Sequence, residues 1–264
     1  MQLFKLVFIF LLPILSAGCA SLQDELEKEK RWEAHQFYQE GRKALLAQDY
    51  LTAIEYFEKL ETRFPFGQYA QQAQLAAAFA YYKNSNPDSA IATADRFIKL
   101  YPTHSDVDYA YYIRGLAHFY SRDNFLDGVF NIDPARRDAE SVQRSYQYFA
   151  ELVRRFPGSK YVEDARQRMI FLRENMARNE LYVAGYAMKR GAYLSAARRA
   201  GYVVEHYSQT PAIPEALAIM VKSYLKLDIP DLAQDALQIL EHNYPQYPEL
   251  DTLHRLMTAE HRGG

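Results

Sequence analysis

Between Tyr50 and Pro65 the chain reads YLTAIEYFEKLETRFP. Leu51, Ile54, Phe57, Leu60 and Phe64 recur at helical spacing, and Glu55, Glu58, Lys59 and Glu61 fall on other faces, so the stretch predicts an amphipathic helix with one buried stripe. Ala53, one turn before Phe57, is small enough to admit a partner helix. Pro65 cannot continue the hydrogen-bond ladder and ends the element. The arrangement returns at Ala90, Ala94, Phe97 and Pro102, and again at Ser145, Phe149, Leu152 and Pro157. It returns at Ala196, Ala200 and Val203, with Ser208 in the place of proline, and at Ala233, Leu237, Leu240 and Pro245. Phe64-Pro65, Tyr101-Pro102, Phe156-Pro157 and Tyr244-Pro245 close four of these copies.

A second helix repeats before each stripe. Phe37, Gly41 and Ala44 lie at i, i+4 and i+7, and Tyr111, Gly115 and His118 repeat that spacing; Ala78 and Tyr81, Ala184 and Ala187, and Val221 and Tyr224 match its last two places. The small residue is expected to let the first helix of a pair pack on the alanine of the second. Small, aromatic and terminal-proline positions follow the tetratricopeptide (TPR) pattern. The period here is 37 residues, from Ala53 to Ala90 and again from Ala196 to Ala233. The interval from Ala90 to Ser145 exceeds it, and Arg122 to Asp138, rich in Asp with Gly128 and Pro134, predicts a loop there. Ser145 to Ala196 exceeds it too, but Ser159 to Arg190 holds no proline and no glycine before Gly185, which predicts one long helix of about thirty residues. Leu250, Leu253, Leu256 and Met257 predict a capping helix. The expected fold is all-α, a TPR superhelix of five helix-turn-helix repeats.

The first residues have another character. Leu6 to Leu15 is an apolar run too short to span a bilayer, preceded by Lys5 and followed by Ser16-Ala17-Gly18-Cys19, which predicts a signal peptide over residues 1–18. Small residues before the chain's single Cys resemble the lipobox of bacterial lipoproteins, which implies that Cys19 is lipidated after cleavage and becomes the mature N-terminus. The competing reading is a free thiol in an ordinary secretory peptide. Ala20 in place of Asp implies sorting to the outer membrane. Residues 19–30 then form the lipidated N-terminus and a linker, 31–158 repeats one to three, and 159–260 the long connecting helix, repeats four and five and the last helix.

Composition removes other classes. The net charge of −2 and the absence of a Lys/Arg cluster argue against nucleic acid. One Cys excludes an internal disulfide and a Cys-based metal cage. No HExxH, GxSxG, P-loop or GxGxxG motif is present, so no catalytic residue, metal ligand or cofactor is assigned and no enzyme is expected. The candidate chemistry is binding. In a TPR array the first helices line the concave face, and positions 2, 5, 9 and 12 of each repeat share a face distinct from the packing positions. Tyr38, Arg42, Leu75, Phe79, Tyr82, Tyr109 and Tyr112 are expected there, a groove for an extended peptide with aromatic side chains and a carboxylate end. The same side chains also suit packing against neighbouring helices. Repeat four offers Arg178, Leu181, Gly185 and Met188, a less aromatic set.

Phe64-Pro65-Phe66-Gly67 with Tyr69, Gln71, Gln72, Gln74 and Leu75, then Tyr81-Tyr82-Lys83, Arg96-Phe97-Ile98, Pro102-Thr103-His104, Arg114-Gly115-Leu116 and Arg190-Gly191-Ala192, resemble the BamD (also called ComL) family. The resemblance runs from the lipobox to about Pro245. It implies a lipoprotein scaffold of the outer-membrane β-barrel assembly (BAM) machinery, lipid-anchored at the periplasmic face of the outer membrane. It further implies binding to the barrel-forming subunit BamA through the C-terminal repeats, to accessory lipoproteins such as BamC and BamE, and to unfolded outer-membrane proteins through the N-terminal repeats. The family's BamA-contacting arginine aligns with Arg199. The alternative is another TPR outer-membrane lipoprotein, such as a pilus-assembly pilotin.

Overall fold

The computed structural model describes residues 31–119 and 139–260. The signal segment, Cys19, the linker and the expected loop from Arg122 to Asp138 lie outside the described residues. Among the described residues there are helices and no strands. They are α1 (Ala34–Leu46), α2 (Tyr50–Arg63), α3 (Gln68–Lys83), α4 (Pro87–Leu100), α5 (Val107–Phe119), α6 (Ala139–Arg155), α7 (Val162–Lys189), α8 (Tyr193–His206), α9 (Ile213–Lys226), α10 (Pro230–Asn243) and α11 (Leu250–Glu260). None of the described helices is long and apolar enough to cross a membrane. The chain divides into two compact units, one through Leu100 and one from Tyr101. Helices α5, α6, α7 and α8 pack in succession within the second unit.

In the first unit Phe37, Ala53, Phe57 and Leu60 are fully buried among Ala70, Ala73, Ala77 and Ala80. Leu51, expected in the stripe, is 67% exposed. At 100° per residue it stands ~120° around the helix from Phe57, outside the arc that Ala53, Ile54 and Leu60 share with that ring. Gly41 also departs from expectation, because the room it leaves is filled by the ring of Phe57 rather than by Ala53. Gly115 stands in the same relation to Phe149 in the second unit. Ser145, at an alanine position, is fully buried, and its Oγ donates to the Gly115 carbonyl at 2.9 Å. A buried hydroxyl is tolerable only with such a partner.

The turns inside pairs repeat as faithfully as the helices. Gln48, Ser85, Gly191 and Asp228 all have positive φ, at 60°, 56°, 73° and 58°. In each turn the next residue's N–H reaches back to a carbonyl of the preceding helix: Asp49 to Ala44, Asn86 to Tyr81, Ala192 to Ala187 and Ile229 to Tyr224, at 2.9–3.0 Å. This is the Schellman stop, closed by one left-handed residue.

The far ends of pairs share an aromatic residue more strictly than a proline. Phe64, Phe156, Tyr207 and Tyr244 donate their N–H to the carbonyls of Leu60, Leu152, Val203 and Leu240 at 2.8–2.9 Å. The cap ring folds back on the first helix of its pair, Phe64 at 6.3 Å from Phe37 and Phe156 at 5.2 Å from Tyr111 between centroids. Hence α8 stops before Tyr207 although Ser208 replaces the proline. Helix α7 runs 28 residues, close to the predicted length. In the C-terminal part of the second unit Leu253 and Met257 of α11 are buried with Leu237 and Leu240, while Leu256 is 40% exposed.

Candidate functional site

The seven residues expected to line one groove fall in both compact units: Tyr38, Arg42, Leu75, Phe79 and Tyr82 in the first, Tyr109 and Tyr112 in the second. In the first unit Tyr38 is half-buried, tilted against Phe57 at 6.1 Å and Tyr69 at 5.7 Å. Arg42 is exposed one turn further along α1. Phe79 and Tyr82 lie 6.0 Å apart and are both half-buried. Leu75 is only 7% exposed, which leaves a ligand little of its surface.

In the second unit the two tyrosines are brought together by a residue that no periodicity singled out. Tyr161, just before α7, stacks on Tyr109 at 5.2 Å and on Tyr112 at 4.7 Å. The Tyr112 hydroxyl donates to Asp164 Oδ2 at 2.6 Å, and Arg168 holds the same carboxylate through Nε and Nη2. Burial, and then the Asp164 bond, push the Tyr112 hydroxyl well above its ordinary value. Burial works against the Asp164 carboxylate, yet the bonds from Arg168 and Tyr112 hold its pKa below the ordinary 3.8. One face of Tyr112 is therefore already covered. What this layer offers a ligand is its rim, where Arg168 lies 4.8 Å from the ring centroid of Phe119 and Phe171 is exposed.

Arg199 stands on α8 away from the buried Ala196, Ala200 and Val203. It borders a cleft of about 870 Å³ shared with Glu180, Leu194, Arg198 and Tyr202. Its Nη1 donates to Glu180 Oε2 at 2.7 Å, and the arginine side chain is 49% exposed against 19% for the glutamate. The acid is thus tucked beneath an outward guanidinium. Glu180 also faces Tyr207, whose hydroxyl is pushed up to about 12 by burial first and then by Tyr202 and Glu180. Leu194 and Tyr202 are 52% and 42% exposed, so the cleft presents apolar surface beside two arginines. That mixture suits a protein partner with an acidic group inside an apolar patch. Sequence reasoning missed Glu180, Leu194 and Tyr202, because the cleft joins two helices whose register no single-helix pattern fixes.

A family model described as YfiO: Outer membrane lipoprotein matches residues 30–240. The outer membrane protein assembly factor BamD of Neisseria meningitidis serogroup B is 41% identical over 250 residues, covering 93% of this chain and 93% of its own. The protein of that name from Vibrio cholerae serotype O1 is 36% identical over 226 residues, covering 86% and 92%. That of Haemophilus influenzae is 31% identical over 243 residues, covering 92% of each. Among solved structures PilW, a type IV pilus biogenesis factor, aligns with 83% of this chain and 97% of its own at 15% identity and a TM-score of 0.35. With a family model over most of its length and relatives above 30% identity over most of both chains, the chain belongs to the BamD family of outer-membrane lipoproteins.

Proposed function

We propose that this protein is the lipoprotein scaffold of the outer-membrane β-barrel assembly machinery, anchored through Cys19 at the periplasmic face. It docks BamA on the Arg199 cleft, associates with accessory BAM lipoproteins, and receives unfolded outer-membrane proteins on the aromatic faces of its N-terminal repeats. Family membership and the assembly-factor name of its relatives support the role. The observation that carries the docking surface is the half-exposed guanidinium of Arg199 over the more buried Glu180, beside exposed Leu194 and Tyr202. A guanidinium has five N–H donors, so one bridging to Glu180 can still engage an acidic group on a partner. No catalytic chemistry enters this reading.

The test is co-purification of BamA with the native lipoprotein from membranes. Arg199→Glu places two carboxylates together and is expected to lower BamA recovery at least tenfold, in line with about 2–5 kcal/mol for a disrupted interfacial charge. Unchanged recovery, with unchanged circular dichroism, removes this cleft from the interface. Recovery of a pilus secretin in place of BamA would favour the pilotin reading.

A further inference from the structure

A second, smaller hollow lies on a different face of α7 from Glu180. Arg178, Tyr182 and Tyr186 follow one another at intervals of four residues, and Lys189 continues the same side. With Leu181 and Gly185 they line a space of about 380 Å³. Tyr182 and Tyr186 are 49% and 55% exposed, although α7 is otherwise anchored by buried alanines and leucines. Apart from its chain neighbours, a Cβ at Gly185 would meet nothing within 4 Å, so no other element covers the helix there.

The two ends of the hollow are cationic and held in place. Arg178 Nη2 donates to the side-chain Oδ1 of buried Asn175. At the other end Arg190 Nη1 donates to the Tyr186 hydroxyl at 3.1 Å, beside Lys189. Glu215, from the first turn of α9, is the one carboxylate among the lining residues. From Arg178 to Lys189 the helix rises ~16 Å, the length of about five extended residues. Two phenol rings flanked by cations at that spacing present an aromatic slot with a positive charge at each end.

We infer that this hollow binds an extended peptide segment of about five residues in which an aromatic side chain is flanked on both sides by carboxylates. The aromatic ring enters between Tyr182 and Tyr186, which supply contact area at a small entropy loss. The carboxylates take charge-assisted bonds from Arg178 at one end and from Lys189 and Arg190 at the other. Side-chain carboxylates and a chain-terminal carboxylate share this chemistry. The site needs neither BamA nor the Arg199 cleft, so its failure and the failure of the docking surface are separable.

Fluorescence anisotropy with the purified full chain tests it. The probe is a dye-labelled, C-terminally amidated peptide, Glu-Gly-Phe-Gly-Glu. Replacing both Glu by Gln, or Phe by Ala, is expected to weaken binding about tenfold or more, as loss of charge-assisted bonds or of an aromatic anchor does. Lys189→Glu and Tyr182→Ala, both at exposed positions, are expected to weaken the parent peptide to a similar degree with an unchanged melting temperature. A fourth peptide, with the last Glu removed and a free terminal carboxylate in its place, separates the sources: equal affinity means that any carboxylate serves, and weaker affinity assigns the site to side-chain carboxylates. Equal binding of the Glu and Gln peptides, no saturable binding of the parent peptide, or an unaltered affinity in Lys189→Glu overturns the proposal.

Discussion

A Cβ placed on Gly41 would stand 2.6 Å from Cε1 of Phe57, a ring with no exposed surface. The glycine of α1 and the phenylalanine of α2 thus fix how closely the first pair of helices approaches. Gly41→Ala gains helix propensity of about 1 kcal/mol but must displace a fully packed ring, and overpacking of that kind costs about 1–3 kcal/mol. The expected outcome is net destabilisation of the first unit, read as a lower urea midpoint. Gly201, in the middle of α8, is the contrast, since a Cβ there meets nothing within 4 Å. Gly201→Ala is expected to stabilise by about 0.5–1 kcal/mol.

The Schellman turns predict opposite signs at equivalent positions. Gln48 and Ser85 occupy the left-handed region without being glycine, and Gly191 occupies it as glycine. An L-residue there is strained by roughly 1–2 kcal/mol. Gln48→Gly and Ser85→Gly should therefore raise the melting temperature, less the extra entropy that glycine loses on folding, and Gly191→Ala should lower it. Thermal melts of the three single variants decide this, and a uniform direction of change would contradict it.

The bond from Tyr112 to Asp164 predicts a pH dependence. Asp164 has its folded pKa depressed, so its contribution to stability is present above the ordinary 3.8 and is lost as pH falls through the lower folded value. The Tyr112 hydroxyl has its folded pKa raised, so its contribution is present below the ordinary 10.0 and is lost as pH rises toward the folded value. Asp164→Asn should flatten the acid limb of a stability profile below pH about 4. Tyr112→Phe should weaken both limbs and lower stability near neutrality by about 1 kcal/mol. Tyr112→Ala also removes the stack on Tyr161 and should cost more than Tyr112→Phe, though less than a fully buried aromatic truncation, which costs about 3–5 kcal/mol, since the ring is only half-buried. Urea midpoints by circular dichroism across pH check all three variants, and a merely exposed groove tyrosine would show none of these effects.

Much of this architecture was legible in single helices. The spacing of Ile54, Phe57 and Leu60, the small residues at Ala90, Ala196 and Ala233, and the unbroken run after Ser159 fixed which segments are helical, how pairs recur and where the longest helix lies, because those properties depend on residues one or two turns apart. Membership of the BamD family was likewise carried by short motifs such as Pro65-Phe66-Gly67. Tertiary structure decided which apolar residues face inward, as the exposure of Leu51 and Leu256 demonstrates, since a stripe's centre shifts with the neighbour it meets. It decided that Gly41 answers to Phe57 rather than Ala53, and that Tyr112 is committed to Asp164, 52 residues away. It alone set Glu180 under Arg199, and placed Tyr182 and Tyr186 on an open face of α7 where the sequence pattern expected a less aromatic set. Contacts of that kind depend on the register between helices, and helical periodicity determines which face of a helix is apolar without determining what lies opposite it.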